Sequence, residues 1–159
     1  SRATQFGYSL FEFEIYGEKP KEIKELTPLH FIKLELTDVK GNLISENFYW
    51  RNGVNDLDYT LLNTLPEADL SCRLVDKKMK IAVKNNSETV AFANRVRLVN
   101  KATQKRILPI IMSDNYATLM PGEEKVITME ATPELLKGGV SVLVKQYGKA
   151  EKNKLDIAD

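Results

Sequence analysis

The chain has 159 residues, of which 43% are hydrophobic and 28% charged, and 23 Lys and Arg oppose 22 Asp and Glu. This length suits one sandwich-sized domain with some extra strands and is too short for an eight-stranded α/β barrel. The net charge of +1 argues against a dedicated nucleic-acid or anionic-membrane surface, because such surfaces need clustered positive charge. The sequence contains no apolar run of about 18 residues, so no membrane-spanning helix is predicted. It also lacks an initiating Met, and we expect a fragment or a processed product.

The N-terminal part predicts one strand and a linker. Residues 9–16 alternate, with Phe11, Phe13 and Ile15 on one side and acidic residues on the other. This pattern indicates a half-buried strand. Residues 18–28 are polar and contain Pro20 and Pro28, which oppose regular structure, so a linker or crossover is expected.

A β-hairpin is the clearest local prediction. Residues 31–36 alternate between apolar and polar side chains, and residues 43–50 return with a similar pattern. Between them, Gly41 and Asn42 tolerate the positive φ that a tight connection requires.

The remainder predicts an antiparallel β-sandwich, because short strand candidates alternate with turn signals and no long helical period occurs. Pro121-Gly122 suits a type II turn. Thr132 as a cap and Pro133 at the first helical position suit one short helical turn. Residues 149–159 contain few apolar side chains and predict a frayed tail or a linker. Strands are predicted at residues 57–62, 68–75, 80–84, 90–99, 106–112, 116–119, 124–131 and 140–147.

Several short motifs point to a known family when they are taken together. The chain resembles the C-terminal immunoglobulin-like region of glycoside hydrolase family 2 enzymes of the β-mannosidase and exo-β-glucosaminidase branch. The resemblance covers about residues 31–148. Residues 1–18 resemble, over one strand only, the closing strand of a discoidin-like (factor 5/8 C-type) sugar-binding domain. The motifs are Phe48-Tyr49-Trp50, Asn63-Thr64-Leu65-Pro66, Val83-Lys84-Asn85-Asn86-Ser87, Ala91-Phe92, Leu108-Pro109, Ser113-Asp114-Asn115-Tyr116 and Pro121-Gly122-Glu123.

The resemblance implies an all-β fold, an immunoglobulin-like antiparallel β-sandwich with an additional N-terminal strand and hairpin. It divides the chain into four parts. These are the discoidin-like strand (1–18), a linker with the last hairpin of a preceding immunoglobulin-like domain (19–51), the C-terminal sandwich (52–148) and the tail (149–159).

The resemblance also implies a function. In this family the catalytic glutamates belong to a barrel domain, so the chain is expected to be a non-catalytic accessory domain of a secreted or periplasmic enzyme. Its expected partners are the barrel and the other domains of that enzyme, and an oligosaccharide is a possible further partner. Neither nucleic acid nor a membrane is an expected partner. Two alternatives stay open: a stand-alone carbohydrate-binding module and a protein–protein adhesion sandwich.

Two groups of residues are candidates for contacts with sugar or with another domain. Asp114 and Asn115 are polar loop residues, and Tyr116 offers a ring for stacking. The competing structural interpretation makes the first two a self-bonding turn and Tyr116 a core or corner residue. Tyr49 and Trp50 form the second group. Since adjacent strand residues point to opposite faces, one of them is expected to point inward, with Trp50 at a domain interface.

No catalytic, metal or cofactor site is predicted. The acidic residues mostly alternate with apolar ones, which places them on solvated strand faces rather than in a paired catalytic cleft. Cys72, the single cysteine, is expected to be a buried inert thiol. His30, the single histidine, has no second histidine to share a metal. Asn85-Asn86-Ser87 matches a glycosylation sequon but is expected to form a turn between strands.

Overall fold

A computed structural model describes residues 27–52, 58–76 and 79–158. The chain divides into two compact units, residues 1–64 and residues 65–159, and each is described by itself. The strand predicted at residues 9–16, with the discoidin-like resemblance attached to it, lies outside the described residues. So does nearly all of the linker predicted at 18–28.

The first unit contains the predicted hairpin. Strand β1 (Leu29–Thr37) pairs antiparallel with β2 (Leu43–Asn52). The Asp38 side chain holds the connection closed, because its Oδ1 accepts hydrogen bonds from the backbone N–H groups of Lys40 and Asn42, each at 2.8 Å. Gly41 adopts a φ of +84°, which a side chain would disfavour. The hairpin prediction is confirmed.

The strand predicted at 57–62 is wrong over the described residues 58–62. Instead a 3₁₀ helix spans Thr60–Thr64. The Asp58 carboxylate accepts a hydrogen bond from the Thr60 N–H at 2.9 Å, and the Thr64 hydroxyl donates to the Leu61 carbonyl at 2.7 Å. Such local bonds from side chain to backbone offer the chain an alternative to a sheet ladder.

The second unit is a β-sandwich of two four-stranded antiparallel sheets. The strands are β3 (Leu70–Asp76), β4 (Lys80–Asn85), β5 (Ala91–Asn100), β6 (Ile111–Met112), β7 (Ala117–Leu119), β8 (Glu124–Glu130), β9 (Val140–Lys145) and β10 (Glu151–Ile157). One sheet has the order β10-β9-β5-β7 and the other has the order β3-β4-β8-β6. One helical turn, α1 (Pro133–Leu136), precedes β9.

The core of this unit draws alternate residues from both sheets. On one sheet Ile81 pairs with Ile127, and on the other Val96 pairs with Val144. All four side chains are buried. Burial of each such side chain contributes about 1.5–3 kcal/mol, which is why the period-2 pattern of the sequence fixes the register of these strands.

Two predictions at the edges of the sandwich are wrong. The single strand predicted at 106–112 is reduced to β6 and one isolated bridge between Arg106 and Val99. Pro109 interrupts it, because proline cannot donate a hydrogen bond to a ladder. The frayed tail predicted at 149–159 instead forms β10, which pairs with β9 and packs Leu155 and Ile157 against the core.

The predicted tight turns are present. Gly122 has a φ of +76°, and the Glu123 N–H donates to the Met120 carbonyl at 3.0 Å, as expected for a type II turn. α1 begins after Thr132 with proline at its start, but the Thr132 side chain makes no capping hydrogen bond. The predicted helical turn is therefore confirmed and the threonine cap is wrong.

Asn85 joins the two sheets of the sandwich. It is fully buried at the end of β4. Its Nδ2 donates to the carbonyl oxygens of Thr89, Leu119 and Met120 at 2.7–3.2 Å. Its Oδ1 accepts from the backbone N–H and the hydroxyl of Ser87. Thr89 precedes β5, and Leu119 and Met120 lie at the end of β7, both in the opposite sheet. The sequon therefore forms a turn between strands, as predicted. The fully buried Asn85 amide has no room for a glycan.

A charge cluster lies on the outer face of the β10-β9-β5-β7 sheet. The Glu151 carboxylate accepts hydrogen bonds from Arg97 Nε at 2.8 Å, from Arg97 Nη2, and from Arg95 Nη2 at 3.1 Å. Burial raises the pKa of Glu151, but the two guanidinium groups oppose it more strongly, so the pKa lies below its ordinary value of 4.5.

This cluster predicts a pH-dependent contribution to stability. Because the folded pKa of Glu151 is lowered, the unfolded chain takes up the proton at the higher pH, and the stabilisation falls away as the pH drops below about 4.5. We expect Glu151→Gln to lower the free energy of unfolding by about 1–2 kcal/mol at pH 7 and by much less at acid pH. Urea unfolding at both pH values measures this. Glu130→Gln, at an exposed strand end, is the control. A deficit of Glu151→Gln that persisted undiminished at acid pH would contradict the assignment.

Candidate binding surface at the 113–116 loop

The five residues singled out from the sequence lie on different units. Tyr49 and Trp50 belong to β2 of the hairpin, and Asp114, Asn115 and Tyr116 precede β7 of the sandwich. Each group is therefore considered by itself.

Both aromatic residues of the hairpin are accessible. Tyr49 is 39% exposed and Trp50 is 42% exposed, so the expectation that one of them points inward is not met. Trp50 is opposite Phe31 in the register, and Tyr49 is opposite Ile32. The Arg51 guanidinium lies 5.9 Å from the centre of the Tyr49 ring, within the range of a cation–π contact.

Asn115 ties the loop to the neighbouring strand β5. Its Oδ1 accepts a hydrogen bond from the Val96 N–H at 2.8 Å, and its Nδ2 donates to the Val96 carbonyl at 3.0 Å. The side-chain amide thus takes the place of a backbone peptide group beside β5. The same Oδ1 accepts from the Tyr116 N–H at 2.9 Å. Asn115 therefore has a structural role, but two of its side-chain bonds go to β5 and not into the predicted self-bonding turn.

Asp114 and Tyr116 divide between the two interpretations. Asp114 Oδ1 accepts from the Asn115 N–H at 2.7 Å, which is the predicted self-bonding turn, and its other oxygen pairs with Lys125 at 2.6 Å. Tyr116 is 61% exposed, so placing it in the core is wrong. Its backbone is left-handed, with a φ of +59°, and the exposed ring is accessible to a ligand or another domain.

Tyr116 borders an open groove of about 280 Å³. A second exposed ring, Tyr147, lies on the same groove and packs edge-on against Phe92, with the ring centroids 5.7 Å apart. The remaining lining residues are Ala93, Arg95, Lys145, Gln146 and Gly148. The sequence analysis did not identify these residues. No local motif marks them, because the register of β5 and β9 and the turn after β9 bring them together.

The pKa values of one thiol and of five carboxyl groups are displaced in the described part of the chain. Burial raises the pKa of the Cys72 thiol to about 11, which favours the unreactive protonated form at neutral pH, although the thiol is half-buried and not fully buried as predicted. A general acid in a glycosidase needs a raised carboxyl pKa. Five carboxyl groups in the described part of the chain have their pKa displaced in the opposite direction: Asp38, Asp58, Glu67, Glu151 and Asp156.

The role of Asn115 can be separated from that of its neighbour. Asn115→Ala removes both partners of the Val96 peptide group, and we expect a loss of about 1–3 kcal/mol in the free energy of unfolding. Asp114→Asn keeps the turn oxygen and loses only the partly exposed pair with Lys125, at a cost of about 0–1 kcal/mol. Urea denaturation of the two variants measures the difference. Equal losses would refute the role given to Asn115.

Curated relatives and solved structures point to one family. Exo-β-D-glucosaminidase of Arthroderma benhamiae is 31% identical over 58% of this chain, and that of Hypocrea jecorina is 29% identical over 65%. The chain spans only 13% and 14% of those proteins. The chain is also similar in structure to the exo-chitosanase CsxA of Amycolatopsis orientalis. In one complex with PNP-β-D-glucosamine the TM-score is 0.67, at 20% identity over 91% of this chain and 19% of that one.

A second CsxA structure gives a TM-score of 0.61 at 21% identity, over 86% of this chain and 19% of that one. At these identities the likeness shows the fold alone. No helix among the described residues is long and apolar enough to cross a membrane. The family model described as the exo-β-D-glucosaminidase Ig-fold domain matches residues 47–148. The predicted immunoglobulin-like sandwich is thereby confirmed, and the chain belongs to the family of exo-β-D-glucosaminidase Ig-fold domains.

Proposed function

We propose that this chain is the non-catalytic Ig-fold domain of a family 2 glycoside hydrolase with exo-β-D-glucosaminidase activity. The family match over residues 47–148 carries the proposal, together with relatives that are several times longer than the chain. The catalytic barrel and its paired carboxylates would lie elsewhere in the parent enzyme. The chain would stabilise that barrel by packing against it or against another domain.

The exposed aromatic side chains support this role. Tyr49 is 39% exposed and Trp50 is 42% exposed, and large aromatic side chains are enriched where protein surfaces meet. In a domain that functions inside a larger enzyme, such side chains would be covered by the neighbouring domains. The finer parts of the proposal are a discoidin-like origin for residues 1–18 and a secreted or periplasmic location of the parent enzyme.

Two experiments test the proposal. The purified chain is incubated with chitosan oligosaccharides, and release of glucosamine is expected to equal that of the buffer blank, because the chain would supply no acid and nucleophile. In the second experiment the segment of the Hypocrea jecorina enzyme that matches this chain is deleted or replaced by this chain. We expect the deletion to lower the thermal midpoint and the activity, and the replacement to recover part of both.

An unrelated immunoglobulin-like sandwich of similar size, inserted at the same place, is the control for the replacement. Recovery by the unrelated sandwich as well would count against a specific packing role. Sugar release by the isolated chain would contradict the proposal outright.

A further inference from the structure

The Tyr116–Tyr147 groove, defined by the seven lining residues given above, has features that a merely structural surface does not need. Four non-glycine residues in the described part of the chain have a left-handed backbone, and two of them, Ala93 and Tyr116, line this groove. Ala93 lies where the β5–β7 register shifts between Ala91 and Asn94. Bulges and unfavourable backbone conformations concentrate at functional sites, where they aim side chains that a regular ladder would not.

Arg95, which lines the groove, also has a hydrogen-bond donor that lacks an acceptor. Its Nη2 binds Glu151, but its Nε is buried and has no hydrogen-bond partner among the described residues. Buried N–H groups are nearly always paired in folded proteins, so an unpaired one beside an open groove indicates a missing acceptor. A carboxylate is the acceptor that a guanidinium group binds best.

Positive charge on this face exceeds negative charge. Lys145 lies between Arg95 and Glu151 in the strand register, and it is exposed. Among the described residues it has no ion-pair partner. Glu151 is shared by Arg95 and Arg97, and its lowered pKa keeps it ionised at neutral pH. Three cations therefore surround one carboxylate, and the surplus favours an anionic ligand.

The shape and the two rings indicate what carries that anion. The groove of about 280 Å³ is small, near the lower end of the range for ligand pockets, and exposed rings of Tyr116 and Tyr147 border it. A pyranose ring presents an apolar C–H face to an aromatic ring and a substituent to the cations. An acidic peptide side chain would reach the cations through a narrow stem and leave the rings without a matching surface.

We propose that the Tyr116–Tyr147 groove binds a uronic-acid sugar, with its carboxylate at Arg95 and Lys145 and its ring against the tyrosines. The site goes beyond the packing role proposed above and does not depend on it. It differs in ligand class from the glucosamine in the structures of the relative, because a protonated glucosamine would meet the same cations with like charge.

Side-chain NMR of the ¹⁵N-labelled 159-residue chain tests the proposal. Trigalacturonic acid is titrated while the Arg95 Nε–H resonance and the backbone amides of residues 145–148 are observed. We expect saturable shifts with a millimolar dissociation constant, which weaken as salt is added. The trimethyl ester of the same trisaccharide should bind about tenfold more weakly, because it keeps the rings and loses the charge. The fully deacetylated glucosamine trimer should not shift these resonances.

Matched variants locate the site. Lys145→Gln should weaken the binding of trigalacturonic acid about fivefold, and Tyr116→Ala should weaken it about tenfold or more. Lys84→Gln, an exposed lysine of the other sheet, should leave it unchanged. Backbone amide spectra establish that each variant is folded.

Three results would overturn the proposed sugar site, and none of them bears on the packing role proposed above. An Arg95 Nε–H resonance that stays in place at about 20 mM trigalacturonic acid would show that the groove is not a carboxylate site. Equal affinity for the ester or for the glucosamine trimer would remove the charge argument. Equal affinity for the peptide acetyl-Gly-Glu-Gly-amide would show that the sugar ring is not recognised.

Discussion

The sandwich depends on the fully buried side chain of Asn85, whose hydrogen bonds connect the end of β4 in one sheet to the other sheet. Its amide donates to carbonyl oxygens just before β5 and at the end of β7, although Asn85 itself belongs to the opposite sheet. Apolar packing between two sheets is not directional, and it does not by itself fix how far one sheet slides over the other. Five side-chain hydrogen bonds at one residue supply that direction, because each unmade bond would leave a buried polar group unpaired.

A similar device positions the loop that carries the candidate surface. Asn115 fixes the loop to Val96 with two hydrogen bonds. The exposed Tyr116 therefore follows directly after a residue whose position is fixed. On the same sheet the Glu151 carboxylate binds Arg95, and the Tyr147 N–H donates to the Phe92 carbonyl. The surface is thus built on strands and on side-chain amides, which is the arrangement that holds binding groups most accurately.

The sequence predicted the sandwich well where strands are long and alternate. β5 and β8 both show the period-2 pattern between clear turns, and their predicted bounds differ from the structure by one residue at each end or less. β10 was missed because it has few apolar residues, and these pack against the core only through the pairing of β10 with β9. At the candidate surface, the Asp114–Asn115 turn follows from local chemistry. Arg95 and Lys145 could not be identified as surface residues of one site from the sequence. They are neighbours because of the pairing register of β5 and β9, which neither segment specifies by itself.

Equilibrium unfolding of Asn85→Ala beside Asn86→Ala tests most directly whether one buried amide secures the corner. Asn86 is exposed, and within the described part of the chain its side chain bonds only to the Ser71 hydroxyl. The account predicts that Asn85→Ala lowers the free energy of unfolding by about 2–4 kcal/mol and that Asn86→Ala lowers it by about 0–1 kcal/mol. Losses of equal size, or an Asn85 variant as stable as the parent chain, would contradict the account.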